Sequence, residues 1–216
     1  MPVDYLHATL GEEVANSITH GVGAALSVAG LVVMVVIAAL RGTSAHVVAC
    51  AVYGASLVLL YLSSTLYHAL TNGRVKRVFR ILDHASIYVL IAGTYTPFTL
   101  VTLRGVWGWA LFGIVWTLAV MGIVFKCFFT GRLHVLSTTV YVVMGWIAVV
   151  AIRPLLQALP WPGFLWLLAG GVFYTLGVAF FAWRRKYAHT IWHLFVLAGS
   201  VCHFSVVYQY VLSRPV

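Results

Sequence analysis

The sequence predicts an all-α integral membrane protein, a seven-transmembrane-helix bundle with its N-terminus in the cytoplasm and its C-terminus outside. Three observations predict it. Of 216 residues, 62% are hydrophobic and 8% charged, which is too apolar for a soluble domain. Seven stretches free of Asp, Glu, Lys and Arg each run 20 residues or longer, and about 20 apolar residues carry a helix across the hydrocarbon core. The basic residues gather on one side of these stretches, which sets the orientation.

The elements follow in order. The uncharged run Val14–Leu40 holds a first helix over 17–40. Before it stands "MPVDYLHATLGEEVANSITHG", acidic and without a basic flank. It does not read as a cleavable signal peptide but as an amphipathic lead-in lying at the interface. Gly42–Gly73 holds a second helix over 46–69, and His84–Leu103 a third, entered from residue 81 and ending at 103. Pro97 falls inside the third, where a missing N–H predicts a kink or a broken hydrogen bond. Gly105–Phe125 holds a fourth helix, 107–128, opened by Trp107 and Trp109. Leu133–Ile152 holds a fifth, 134–152, and Pro154, Pro160 and Pro162 mark the loop after it. Pro154–Trp183 holds a sixth, 163–183, with Trp161 and Trp166 at its outer end, where aromatic belts lie. Tyr187–Ser213 holds a seventh, 187–211. The runs meet through short loops, so residues 1–216 form a single membrane domain. Small residues such as Gly23 and Ser27 suit close helix approach.

The net charge of +9 reports orientation, not nucleic-acid binding. Nine basic residues (Arg74, Lys76, Arg77, Arg80, Lys126, Arg132, Arg184, Arg185 and Lys186) fall on the N-terminal side. Four (Arg41, Arg104, Arg153 and Arg214) fall on the other. This is opposite to a G-protein-coupled receptor. A retinal pump is excluded as well, because Tyr187–Ser213 contains no lysine for a Schiff base. Cys50, Cys127 and Cys202 are isolated, which argues against a disulfide framework or a thiolate metal site.

Five polar residues share the N-terminal-side level. Ser64 and His68, in "SSTLYHAL", stand four apart on one face of the second helix. Asp83 opens the third helix in "RILDHASIY" and is the only acidic residue after Glu13. His189 and His193, in "AHTIWHLF", point to one side of the seventh. Ionisable groups at membrane depth are costly and are functional candidates. Three neutral imidazoles with room for water suit catalytic zinc, and Asp83 and Ser64 suit a water-activating base and a hydrogen-bond donor. Plainer readings stand beside this one. A histidine near headgroups can be an interface residue, Asp83 a helix-start residue favoured by the dipole, and Ser64 a back-bonding serine. His20 lies at the same level, and His203 about 15 Å deeper than His193 at 1.5 Å per residue. His84 points about 100° away from Asp83 around the helix. His7, His46 and His134 read as interface residues.

"EEVANSITHG", "SSTLYHAL", "RILDHASIYVLIAGTYTP" and "HTIWHLFVLAGSVCHF" resemble the motifs of the hemolysin III family. That family is the bacterial branch of the progestin and adipoQ receptor family, which includes the adiponectin receptors. The likeness runs from about residue 12 to 210. It implies seven membrane helices with a cytoplasmic N-terminus and a zinc ion near the cytoplasmic side. By motif it implies His68, His189 and His193 as metal ligands, Asp83 contacting the ion through water, and Ser64 nearby. The receptors' long N-terminal domain has no counterpart here.

Three functions are open at this point. The first is a zinc-dependent, ceramidase-like hydrolase of lipid amides in the cell membrane, with membrane lipid as substrate or bound fatty acid. The second is a channel or pore of cytolytic type. The third is a sensor of membrane state with structural zinc.

Overall fold

In a computed structural model of the protein, the described residues are 8–130 and 132–212, and they are helical with no strand. His7 and Arg214 lie outside them. Seven helical spans are long and apolar enough to cross a membrane among the described residues.

Helix α1 runs Leu10–Arg41. Thr9 caps it and Glu12 reaches back to the Thr9 backbone, a reciprocal pairing that satisfies two orphan donors. Residues 10–16 are therefore the first turns of α1, not a separate surface element. Helix α2 runs Ser44–Ala69 behind Thr43, whose N–H donates to His46 Nδ1. Helix α3 runs Gly73–Pro97, started by the Asn72 side chain, which accepts from the N–H groups of Arg74 and Val75. This corrects two expectations. Arg74, Lys76, Arg77 and Arg80 lie in helix rather than loop, and Asp83 sits in the third turn, not the first. Loss of charge marks entry into the apolar layer, whereas the cap marks where the helix begins.

Pro97 ends the regular part of α3, and a wider π-type turn follows over Phe98–Thr102, closed by Leu103 N–H donating to Phe98 C=O. The proline cannot donate, so the wider turn takes up the register. Arg104 and Gly105 then adopt positive φ, and α4 runs Gly105–Phe129. The fifth span is compound. It consists of α5 (His134–Trp146), a tighter 3-10 stretch (Ile147–Ala151) and α6 (Ile152–Ala158). Pro154 is thus inside a helix, not a loop, and it is tolerated because first-turn N–H groups need no intrahelical partner. Pro160 caps α7 (Trp161–Ala182), with Pro162 in its first turn. Helix α8 runs Ala188–Val206 and ends in a second π-type turn over Val207–Val211.

Consecutive helices α1, α2 and α3 pack side by side, α7 packs on α8, and α1 closes against α8. Close approach is real at Gly23. A Cβ there would meet the Tyr61 ring at 2.6 Å and Leu197 at 2.9 Å. Buried Tyr53, Tyr61, Met34 and Val206 fill the core between α1, α2 and α8. The arrangement brings the start of α1, the end of α2 and the starts of α3 and α8 to one end, called here the basic end.

Candidate metal centre

At the basic end His68, His189 and His193 converge, with one ligand-capable atom of each within 4.8 Å of the others. Two segments separated by more than a hundred residues supply them, and α2 and α8 reach one place because both pack on α1. The HxxxH spacing sets His189 and His193 one turn apart on α8, their ring centroids 4.6 Å apart.

Two of the rings are oriented by carboxylate or carbonyl acceptors. His68 Nδ1 lies 2.6 Å from Glu13 Oε2. A carboxylate only accepts, so Nδ1 carries the proton, and in the neutral ring Nε2 keeps its lone pair. That Nε2 is buried with no hydrogen-bond partner. Glu13 is itself held, since Lys76 Nζ donates to its Oε1 at 2.9 Å. One carboxylate thus links α1, α2 and α3. His193 Nδ1 lies 3.2 Å from the Asn16 backbone oxygen and 3.2 Å from Thr19 Oγ1. The carbonyl fixes Nδ1 as donor, which leaves Nε2 of the neutral ring as the acceptor. Asn16 accepts from Thr190 Oγ1 at 2.6 Å as well, which ties α1 to α8. Metal-binding histidines characteristically carry such outer partners. Three imidazoles, with a buried Nε2 on His68 that has no hydrogen-bond partner, form a donor set that could hold a metal ion.

Asp83 stands beside Ser64 and within electrostatic reach of His68 and Arg80. Its carboxylate is 3.7 Å from His84 Nδ1. Ser64 is fully buried, and its Oγ does not back-bond to its own helix but lies toward the Asp83 carboxylate. Neighbouring Ser63, by contrast, donates to Leu59 O at 2.7 Å. His20 stacks face to face on His193 at 3.5 Å and meets the Tyr61 edge at 4.9 Å.

All five expected site residues line one cavity of about 760 Å³. It extends from Thr9, Glu12 and Arg184–Lys186 at the basic end to Thr94, Tyr95, Trp146, Gly171 and His203 deep in the bundle. Most of the deep wall is apolar: Leu60, Ile87, Leu90, Ile91, Trp192 and Val196. Gly145 and Thr175 are exposed and also line it, where α5 faces α7. Trp146 Nε1 donates to Thr175 Oγ1 at 3.0 Å across that gap.

Sequence reasoning missed Glu13, Asn16 and Lys76. The motif "EEVANSITHG" was the available signal, because Glu13, Asn16 and His20 fall three and four residues apart on one helical face. His84 points away from Asp83 around α3 and lines the same cavity nonetheless, with Nδ1 at 2.7 Å from Arg80 O.

Comparison with known proteins agrees with this architecture. The sequence model of a family described as haemolysin-III related matches residues 8–204. Hemolysin-3 of Bacillus cereus is 53% identical over 202 residues, covering 93% of this chain and 92% of that protein. The hemolysin-3 homolog of Bacillus subtilis (strain 168) is 48% identical over 208 residues, 96% of this chain and 98% of that one. The human monocyte to macrophage differentiation factor is 26% identical over 214 residues, 96% of this chain and 87% of that protein. No solved structure matches.

Proposed function

The chain belongs to the haemolysin-III related family of multi-pass membrane proteins, and from that premise we propose that it is a zinc-dependent hydrolase of lipid amides, with its site on the cytoplasmic side of the cell membrane. The observation that carries the reading is the cavity. It joins a cluster of three imidazoles, a carboxylate and a hydroxyl to a largely apolar chamber whose wall includes Gly145 and Thr175, exposed where α5 faces α7.

His68, His189 and His193 would hold the zinc, which when bound supplies a water acidified to a pKa of about 7 and polarises a carbonyl. The chain's own residues do the rest. Glu13 and the Asn16 carbonyl keep Nδ1 of His68 and His193 protonated, so that Nε2 stays a lone-pair donor. Asp83 takes the proton of the attacking water and returns it to the leaving amine. Ser64 Oγ, buried beside Asp83, donates to the carbonyl oxygen as charge develops there. The apolar wall receives the acyl chain and keeps bulk water out.

The test is elemental analysis of the purified protein, followed by lipid-product analysis with and without a chelator. Zinc near one per chain, with fatty acid released only from the unchelated protein, is the expected result. A second reading, a pore, draws on the printed name of the Bacillus relatives. Ion conductance in liposomes that survives loss of the three histidines would favour it over hydrolysis. Orientation is tested separately: a cysteine placed at Arg185 should resist impermeant label added outside intact cells, following the nine-to-four distribution of basic residues.

A further inference from the structure

The deep end of the cavity holds a polar group that the proposed chemistry does not use. His203 is on the cavity wall, 9% exposed, in the last turn of α8 before the π-type turn. Its Nε2 lies 3.0 Å from the Leu167 backbone oxygen. A carbonyl only accepts, so Nε2 carries the proton and Nδ1 is left as a bare acceptor. That Nδ1 is buried with no hydrogen-bond partner. The ring cannot turn easily to find one. Its Nε2 and Cδ2 edge lies against Gly170, where even a Cβ would collide with it, and Tyr174 flanks it at 5.5 Å.

The polar neighbours are already committed. Tyr174 and Tyr61 hydroxyls both bond Ser200 Oγ, at 2.8 and 2.7 Å. Tyr95 donates to Met144 O at 3.0 Å, and Thr94 donates to Leu90 O at 2.8 Å. A buried acceptor with no donor is costly, and more so at membrane depth. A ligand that fills the cavity is therefore favoured if it brings a hydroxyl to this point.

We propose that His203 forms a subsite for a hydroxyl group on the acyl chain, so that the cavity selects mid-chain hydroxylated acyl lipids over plain ones. The proposal rests on the reading of the cavity as an acyl-lipid site. Position follows from geometry. His203 is ten residues beyond His193, about 15 Å along the helix at 1.5 Å per residue. An extended chain advances roughly 1.2 Å per bond, judged from the span of an extended peptide, so the hydroxyl belongs roughly twelve bonds from the carbonyl held at the histidine cluster.

The test compares two fatty acids, stearate and 12-hydroxystearate, each a possible product of amide hydrolysis. Binding to the purified protein is measured by quenching of Trp146 and Trp192, which line the cavity, so no turnover is needed. Wild type should bind the hydroxylated acid several-fold to about tenfold more tightly, the worth of one buried hydrogen bond. In His203→Gln the amide reaches the Nε2 position and keeps the link to Leu167, but the Nδ1 acceptor is gone. Its preference should vanish while stearate still binds. In His203→Asn the amide oxygen can stand at the Nδ1 position, and the preference should persist in part. Equal binding of both acids to wild type means that the acceptor is satisfied by an ordered water only, and the subsite is wrong. A preference that survives His203→Gln also overturns it. If wild type binds both acids equally and releases fatty acid from lipid amides, only this inference fails. If it binds neither acid, the acyl-lipid reading fails with it.

Discussion

Helices α3 and α7 cross the same thickness of membrane and are built on opposite plans. In α3 the most apolar window has a mean hydropathy of 1.3 and is 67% buried, whereas in α7 the corresponding figures are 1.9 and 11%. The less apolar helix is the more buried one. In a soluble domain that order would be reversed, because water drives apolar faces inward. Lipid tails are as apolar as leucine, so burial in a membrane follows packing and polar contacts instead. Helix α3 brings Asp83, His84, Ser86 and Tyr88 inward, while α7 shows Leu165, Trp166, Phe173 and Leu176 to lipid. The candidate site therefore resides on α2, α3 and α8, strapped by α1, and the periphery encloses it.

The largest expected effect on that contrast comes from removing a ligand on the inner set. His193→Ala takes away one of three imidazoles, and bound zinc should fall below detection in the purified protein. Equal zinc in wild type and variant would break the comparison, since the inner polar cluster would then be packing only. Next is Asp83→Ala, measured at excess zinc. It should keep the metal and lose hydrolysis by two orders of magnitude or more, as expected for loss of a general base. A variant that keeps both metal and full turnover makes the metal structural and favours a sensor.

Glu13→Gln should be milder. Removing the charge that holds His68 Nδ1 should weaken zinc affinity by about 10- to 100-fold, the usual cost of losing an outer partner, with the apo protein unfolding at an unchanged temperature. Lys76→Met should do the same to a smaller degree, because Lys76 acts on His68 only through Glu13. The smallest effect belongs to the periphery. Leu176 is 54% exposed, and Leu176→Ala should alter stability by less than about 0.5 kcal/mol and leave zinc unchanged. Any loss of metal there would show that α7 contributes more than a wall.

The fold was legible because charge is so scarce. With 8% charged residues, each gap between Lys, Arg, Asp and Glu reads as a membrane crossing. Helix ends were not legible on the same rule, since Arg74, Lys76, Arg77 and Arg80 lie in helix above the apolar layer and Asn72 sets the start. Pro154 misled because a proline in a first helical turn resembles one in a loop. The site was legible where spacing is local, as in SxxxH and HxxxH. Glu13 was not, because its partner His68 is 55 residues away and no periodicity encodes that distance. The bare Nδ1 of His203 was hidden too, since only a placed Leu167 carbonyl shows which nitrogen is occupied.

The clasp between α1 and the last helix also sets an order of events in the cell. Glu12 accepts from the Tyr187 N–H, Asn16 accepts from Thr190, and the Asn16 carbonyl accepts from His193, across 174 to 177 residues of chain. At a synthesis rate of about 5–20 residues per second, the start of α1 waits roughly 10–35 seconds for those partners. Through that interval α1 must lodge in the membrane with Glu12 and Asn16 unclasped on the α8 side. On the proposed metal reading, loading is deferred until the final helix inserts. A ribosome that stops before Ala188 leaves a nascent product with one imidazole of the three, and so with nothing that can retain zinc.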